Sequence, residues 1–307
     1  MILNILFIVI GIVLVLWGAD RLTDGAVAVA EKMKMPQIVI GLTIVAMGTS
    51  MPEFCVSLIS ALKGTSDLAV GNIVGSNIFN TMLIVGVSAL VAPMSIMKTT
   101  VRKDIPFALV ASALLLIMCL DEDISRIDAA ILFVMFLIFM YITLRGAKAQ
   151  GADVEEKEKK PMATWLSVVW ILVGLVCLIG GSNLFVDGAT AVATKLGVSE
   201  AVIGLTIVAG GTSLPELATS VVSARKGNSG IAIGNVLGSN VFNILAILGL
   251  TGVITPMTLK GITMTDLSMM VISIILIWLF SFTKYKIGRW EGAILTVVFV
   301  GYIYSLL

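Results

Sequence analysis

Ten runs of apolar residues divide this chain of 307 residues, and each run is about 20 residues long. A helix of about 20 residues crosses the ~30 Å hydrocarbon core of a bilayer. The runs lie near 2–18, 37–60, 70–92, 105–120, 127–145, 163–181, 200–223, 231–254, 265–283 and 290–307. Hydrophobic residues make up 58% of the chain and charged residues 13%, which is typical of a membrane protein. We therefore predict an all-α integral membrane protein with ten transmembrane helices.

The chain also contains an internal duplication at a shift of 163 positions. Thirteen of the fifteen residues in 39–53, VIGLTIVAMGTSMPE, recur in 202–216, VIGLTIVAGGTSLPE, and GNIVGSNIFN at 71–80 falls on GNVLGSNVFN at 234–243. Five spans per repeat is an odd number, so the second repeat enters the membrane from the opposite side. The sequence predicts two inverted five-helix repeats, 1–146 and 162–307, joined by a short polar linker at 147–161.

The basic residues predict how these repeats are oriented, because cytoplasmic loops collect lysine and arginine. Alternating the loops between the two sides puts only Lys63, Arg126, Lys195 and Lys260 on the side of the termini, and the other 16 of the 20 opposite. We expect a multi-pass protein of the cell membrane with both termini extracellular and the linker in the cytoplasm.

Several kinds of chemistry are excluded by what the sequence contains. Histidine is absent, which removes the commonest metal ligand and any Ser-His hydrolase scheme. Cys55, Cys119 and Cys177 lie singly in different apolar segments, without the paired spacing of a zinc site or a disulfide framework. We expect no enzyme activity and no resident cofactor.

The second apolar run carries a proline and a carboxylate, neither of which belongs inside an ordinary membrane helix. Pro52 cannot donate a backbone hydrogen bond and crowds the preceding turn, so carbonyl oxygens there become available to another partner. Thr49 and Ser50 precede Glu53 by four and three residues, which places their hydroxyls on the side of its carboxylate. An ionisable group at this depth is a functional site by default.

The same arrangement recurs in the seventh run, where Thr212 and Ser213 precede Glu216. Two broken helices that meet at an inverted two-fold axis would bring both carboxylates together near the bilayer midplane. The third and eighth runs add polar stripes spaced by four residues. These stripes are Asn72, Ser76 and Asn80 in the third run, and Asn235, Ser239 and Asn243 in the eighth.

A set of carboxylate, amide and hydroxyl oxygens suits hard cations such as Ca²⁺ and Na⁺. The two glutamates carry two negative charges, which one Ca²⁺, two Na⁺ or two protons would neutralise. A site that must be neutralised by one species or the other before it crosses the membrane is the physical basis of exchange. The residues leave two further possibilities open, which are Ca²⁺/H⁺ exchange and a cation channel. An intramembrane aspartyl protease is disfavoured, because no span contains an aspartate placed to pair with another.

These paired motifs, GTSMPE with GNIVGSNIFN and GTSLPE with GNVLGSNVFN, closely resemble the two alpha-repeats of the cation/calcium exchanger superfamily, above all its prokaryotic sodium/calcium exchangers. The resemblance covers essentially the whole chain. It implies an electrogenic antiporter that exchanges Na⁺ for Ca²⁺ by alternating access, in which the first and sixth helices slide across a rigid core. It implies that the ions are substrates, that the other partner is the lipid bilayer, that nucleic acid is no partner, and that a monomer suffices.

The same resemblance implies a specific set of ion-binding residues. Glu53 and Glu216 would bind Ca²⁺ centrally, with Asn80 and Asn243 lining the centre. The calcium and flanking sodium sites would be completed by Thr49, Ser50, Ser76, Thr212, Ser213 and Ser239, and by the carbonyls of Ala46 and Ala209.

One position departs from the archaeal members of known structure and from the potassium-dependent branch, which this chain otherwise resembles and which have an aspartate in place of Asn243. Because an amide cannot ionise, the departure argues against K⁺ co-transport and against proton coupling at this position. Asp24 and Asp187 follow the first and sixth runs, and we expect them to have capping or solvent-exposed roles in the connectors.

Overall fold

The computed structural model describes residues 2–150, 162–197 and 209–306, and these residues are almost entirely helical. We number the helical segments in chain order. They are α1 (Ile2–Lys32), α2 (Gln37–Thr49), α3 (Met51–Leu62), α4 (Ser66–Val91), α5 (Thr100–Asp121), α6 (Arg126–Gln150), α7 (Thr164–Lys195), α8 (Ala209–Thr212), α9 (Leu214–Arg225), α10 (Ser229–Ile254), α11 (Met264–Ser281) and α12 (Arg289–Leu306). Residues 151–161 of the predicted linker lie outside the described part.

Within the described residues, seven helices are long and apolar enough to cross a membrane, and the bent pair of α2 and α3 makes an eighth. The prediction of an all-helical membrane protein is therefore confirmed. The remaining two predicted spans stay predictions. The run at 200–223 falls partly outside the described residues, and α12 carries Arg289 and Glu291 in its first turn.

Burial separates a central pair of helices from the rest. The most apolar stretch of α10 is wholly buried and that of α4 is 72% buried, whereas the corresponding stretch of α1 is only 22% buried. Large apolar side chains on the outer helices, such as Ile2, Val176 and Trp290, are exposed, as expected for a surface solvated by lipid tails. The two polar stripes predicted from the sequence therefore lie in the centre of the molecule.

The proline-containing motifs break their helices as predicted. The chain bends by 48° between α2 and α3, and Ser50 at the break has φ −82° and ψ 9°. Ser213 separates α8 from α9 with nearly the same dihedrals, φ −90° and ψ 6°. Pro52 and Pro215 both stand at the start of the following helix, where a missing N–H costs least.

The central helices contain one π-helical stretch each, Phe79–Ile84 in α4 and Phe242–Leu248 in α10. The two stretches begin 163 positions apart and contain Asn80 and Asn243. Such wide turns are frequent at functional sites, because they change which residues face a helix neighbour.

Helices α1 and α7 pack closely against each other along their glycines. A Cβ atom on Gly11 would lie 2.7 Å from the Gly181 oxygen, and one on Gly18 would lie 2.8 Å from the Gly174 oxygen. The contact points advance along α1 as they recede along α7, so the two helices are antiparallel. Small residues permit this close approach of backbones, which supplies van der Waals packing where lipid provides no hydrophobic driving force.

Two short strand pairs tie the two halves of the chain together. Strand β1 (Met94–Ser95) pairs antiparallel with β4 (Lys286–Ile287), and β2 (Asp123–Ile124) pairs antiparallel with β3 (Met257–Thr258). Each pair joins a connector of the first half to a connector of the second. The halves are therefore interleaved, and neither could form the central site by itself.

Candidate functional site

The two broken helices place Glu53 and Glu216 in the centre of the molecule, where both residues are fully buried. Each carboxylate accepts a hydrogen bond from a serine of the opposite half. Ser50 Oγ donates to Glu216 Oε1 at 2.9 Å, and Ser213 Oγ donates to Glu53 Oε1 at 3.0 Å. The two acidic groups also interact electrostatically with each other. The predicted meeting of the two motifs is therefore present in the fold.

The second oxygen of each carboxylate is buried and has no hydrogen-bond partner among the described residues. Within the same part of the chain, the side-chain oxygens of Asn80, Asn243 and Ser239 also have none. Buried oxygens without partners are rare, since each leaves an unpaid desolvation cost of roughly 1–3 kcal/mol. Five such oxygens, two of them from carboxylates, are the kind of ligand that a hard cation accepts.

The remaining predicted side chains surround these oxygens. Thr49 Oγ1 donates to Asn235 Oδ1 at 3.1 Å, and Thr212 lies beside the Glu53 carboxylate. Ser76 Oγ lies 3.3 Å from Ser213 Oγ, which links the third predicted run to the second broken helix.

The two predicted carbonyl ligands belong to Ala46 and Ala209. The Ala46 oxygen accepts from Ser50 N at 3.0 Å and has a longer contact with Thr49 Oγ1 at 3.3 Å. Ala209 is the first residue of α8. The roles of both carbonyls in ion binding stay predictions.

Asn72 and Asn235 support the glutamates from behind, through equivalent contacts. Asn72 Nδ2 donates to the Glu53 carbonyl at 3.2 Å and to Ser57 Oγ at 2.9 Å. Asn235 Nδ2 donates to the Glu216 carbonyl at 3.2 Å and to Ser220 Oγ at 3.0 Å. The two polar stripes therefore serve two purposes, because these asparagines fix the backbone while Asn80 and Asn243 present free oxygens.

Sequence reasoning missed two buried asparagines, Asn77 and Asn240. Asn80 Nδ2 donates to Asn240 Oδ1 at 3.1 Å, and Asn243 Nδ2 donates to Asn77 Oδ1 at 3.0 Å. The spacing of four residues that identified the stripes excluded both positions. Their recurrence at the shift of 163, inside GSNIFN and GSNVFN, was the signal that could have found them.

Asp24 and Asp187 lie inside α1 and α7, so the expectation that they stand in connectors was wrong. The two helices continue past the apolar runs to Lys32 and Lys195. Asp24 Oδ1 pairs with Lys226 Nζ at 2.7 Å, and Asp20 Oδ1 pairs with the same nitrogen at 2.6 Å. This ion-pair cluster joins α1 to the end of α9.

Among the described residues, no group of three or more histidine, cysteine, aspartate or glutamate side chains could hold a metal ion. The two glutamates are the carboxylates that the described residues bring to the site, and the oxygens around them are neutral. Such a site suits a cation that binds and leaves rather than a permanently held metal. Apolar helices enclosing it define an integral membrane protein of the cation-transporter class.

Comparison with known proteins agrees with this class. The chain matches the family model described as sodium/calcium exchanger protein over residues 3–145 and 166–307. The putative antiporter CaxA of Alkalimonas amylolytica is 38% identical over 316 residues, which cover 100% of this chain and 99% of that protein. The sodium/calcium exchanger MaX1 of Methanosarcina acetivorans is 32% identical, over 99% of this chain and 98% of that protein.

Solved structures of the sodium-calcium exchanger NCX_Mj share the fold. One, from crystals soaked with Na⁺ and Ca²⁺, superposes with a TM-score of 0.88 at 30% identity and covers 100% of this chain and 99% of that chain. This chain belongs to the sodium/calcium exchanger family. The resemblance found in the paired motifs is thereby confirmed.

Proposed function

We propose that this protein exchanges Na⁺ for Ca²⁺ across the cell membrane by alternating access, with net movement of charge. The observation that carries the proposal is the pair of buried glutamates. Each has one oxygen held by a serine of the other half and one oxygen without a partner among the described residues. Two ionised carboxylates at this depth require positive charge beside them. Ca²⁺ or Na⁺ supplies that charge and accepts the remaining oxygens.

In this proposal Ca²⁺ binds between Glu53 and Glu216, with Asn80 and Asn243 lining the centre. Sodium ions use the same carboxylates together with hydroxyls and carbonyls on either side. These flanking ligands are Thr49, Ser50, Ser76, Thr212, Ser213, Ser239 and the carbonyls of Ala46 and Ala209. Because both cations need the same two charges, Ca²⁺ and the full complement of Na⁺ exclude each other.

The fold supports a sliding movement of α1 and α7. They pack on each other through glycines, whereas α4 and α10 form the buried centre. The antiparallel packing of α1 and α7 favours inverted repeats, because these two helices are equivalent in the duplication and run in opposite directions. An ion-free site carries two uncompensated charges, so a carrier with an empty site resists the change between its outward-facing and inward-facing forms. After it releases one kind of ion, the carrier must therefore bind the other kind before its site can return across the membrane.

The membrane arrangement that we propose has ten spans as two inverted five-helix repeats, with residues 147–161 as a cytoplasmic linker and both termini extracellular. It follows from the duplication and from the unequal distribution of basic residues. Each half contributes one glutamate to a single site, so one chain contains the whole ion pathway and a monomer suffices.

The test is ion flux in vesicles that contain the purified protein. An outward Na⁺ gradient should drive uptake of radiolabelled Ca²⁺, and replacing K⁺ on either side should leave the rate unchanged because position 243 cannot ionise. Glu53→Gln and Glu216→Gln should each abolish uptake, while Ser112→Ala, which removes a buried hydroxyl of α5, should not.

Different gradients separate the alternatives. Uptake that follows a pH gradient and ignores Na⁺ would show proton exchange, since two protons also neutralise the glutamates. Uptake without any trans ion would show a channel. Near-normal flux in either glutamate variant would show that ions do not cross through this site.

A further inference from the structure

Asn77 and Asn240 lie outside the proposed ligand set, yet both are buried in the middle of the central helices. Asn77 in α4 contacts the backbone of α10, and Asn240 in α10 contacts the backbone of α4. Asn77 Nδ2 donates to the Asn240 carbonyl at 3.2 Å, and Asn240 Nδ2 lies 3.5 Å from the Asn77 carbonyl. Each also binds the amide group of a proposed ligand residue.

The amide orientations in this cluster are fixed by groups that can act only as hydrogen-bond acceptors towards the asparagines. The Asn240 backbone carbonyl can only accept, so Asn77 must present its nitrogen there and its oxygen on the other side. That oxygen is the acceptor for Asn243 Nδ2 at 3.0 Å. Asn243 must then present its own oxygen away from Asn77, and this Oδ1 has no partner in the part of the chain that the structure describes.

A similar chain of donors fixes the other half. Thr81 Oγ1 gives its single proton to the Asn77 carbonyl at 2.6 Å, so towards Asn240 it offers only lone pairs. Asn240 Nδ2 donates to Thr81 Oγ1 at 2.6 Å. The other side of the Asn240 amide is then its oxygen, which accepts from Asn80 Nδ2 at 3.1 Å. The Oδ1 of Asn80, which no described residue contacts by a hydrogen bond, is thereby the oxygen left for an ion.

We propose that Asn77 and Asn240 are positioning residues that hold the amides of Asn243 and Asn80 with oxygen, and never nitrogen, towards the transported cation. An amide that turned over would bring two N–H groups to a site that binds cations. The turned amide would also place its oxygen against the side-chain oxygen of Asn77 or Asn240, and two acceptors cannot form a hydrogen bond. The crossed arrangement therefore determines that both amides act as neutral ligands, and the inference rests on the proposed function for the identity of that cation.

The two halves differ in one contact. Asn240 is held by Thr81, but the residue equivalent to Thr81 in the second half is Ile244, which has no hydroxyl. Among the described residues, the Asn240 carbonyl is the one acceptor that holds the amide nitrogen of Asn77. The Asn243 oxygen is consequently held less firmly than that of Asn80.

The experiment is a double-mutant cycle on equilibrium binding of radiolabelled Ca²⁺ to purified protein. Asn77→Ala should raise the half-saturating Ca²⁺ concentration about tenfold, as should Asn243→Ala. If Asn77 acts through the Asn243 oxygen, the double variant should bind no more weakly than Asn243→Ala alone. Ser88→Ala serves as the control, because it removes a buried hydroxyl of the same helix roughly 16 Å from Asn77.

Effects that multiply in the double variant would overturn the proposal, because a merely structural asparagine would weaken binding whether or not Asn243 keeps its amide. Should Asn77→Ala fail to fold, the same cycle is measured with Asn240→Ala and Asn80→Ala. The double variant should then bind Ca²⁺ no more weakly than Asn80→Ala alone. A wild-type protein that binds Na⁺ but not Ca²⁺ would refute the proposed exchange alone, since the cycle can then be measured with Na⁺.

Discussion

At the scale of single residues, the site depends on exchanged hydrogen bonds between two equivalent motifs. Ser50 and Ser213 each donate to the glutamate of the other half, at 2.9 Å and 3.0 Å. A bond from a neutral hydroxyl to a carboxylate contributes roughly 1.5–3 kcal/mol. Each serine therefore orients one oxygen of a carboxylate, and the proposed function assigns the other oxygen to the ion.

We expect Ser50→Ala and Ser213→Ala to raise the half-saturating Ca²⁺ concentration by roughly tenfold or more, because a carboxylate without its donor is no longer held in one orientation. The two variants should be affected to a similar degree, since their contacts are equivalent. Initial rates of Na⁺-driven Ca²⁺ uptake measure the effect. Unchanged half-saturation in both would show that these bonds do not contribute to the ion-binding state.

At the scale of helices, the ion-pair cluster between α1 and the end of α9 has no equivalent among the described residues of the other half. Lys226 Nζ contacts both Asp20 and Asp24, and Thr23 Oγ1 lies 2.9 Å from Ser223 Oγ beneath them. At the shift of 163, the counterpart of Asp20 is Asn183, which carries no charge. One end of α1 is thus tied to the neighbouring helix in a way that α7 is not.

We expect Lys226→Ala to release this end of α1 and expose the buried position 223. In a background without native cysteines, a thiol reagent should label Ser223→Cys several-fold faster when Lys226 is replaced. The matched control is Lys63→Ala with Ser60→Cys, which occupy the equivalent positions of the first half and have no ion pair among the described residues. Equal acceleration in both backgrounds would show that the cluster does not hold α1.

At the scale of the whole molecule, the site exists only because the two halves interleave. Each glutamate is supplied by one half and its serine by the other, and the two strand pairs also join opposite halves. An ion bound in the centre therefore contacts both halves at once. Binding should stabilise the complete fold rather than a local loop.

Ca²⁺ at about 100 times its dissociation constant should stabilise the folded protein by about 2.7 kcal/mol, since the ion binds the folded state and not the unfolded chain. Thermal unfolding of the purified protein in detergent should show a higher midpoint with Ca²⁺ or Na⁺. Mg²⁺ at the same concentration should have little effect, because it gives up its water reluctantly. Glu53→Gln should remove the response to Ca²⁺, and an equal response to all three ions would indicate unspecific screening.

The sequence alone determined the membrane class and the composition of the site. Apolar runs of fixed length, a proline beside a buried glutamate, and their recurrence at one shift are local patterns, and local patterns are readable along the chain. Glu53, Glu216 and the flanking hydroxyls were found in this way. Helix ends were not, because α1 and α7 extend beyond their apolar runs and carry Asp24 and Asp187 with them.

Only the tertiary structure decided which groups face each other. The exchange of serine donors between halves, the antiparallel packing of α1 on α7 and the roles of Asn77 and Asn240 depend on contacts between residues about 160 positions apart. A sequence pattern shows which side of a helix a residue occupies, but not which oxygen of a neighbouring helix it meets. Those meetings decide which oxygens are already paired and which are free for a cation, because each hydroxyl and amide has a limited number of protons to give.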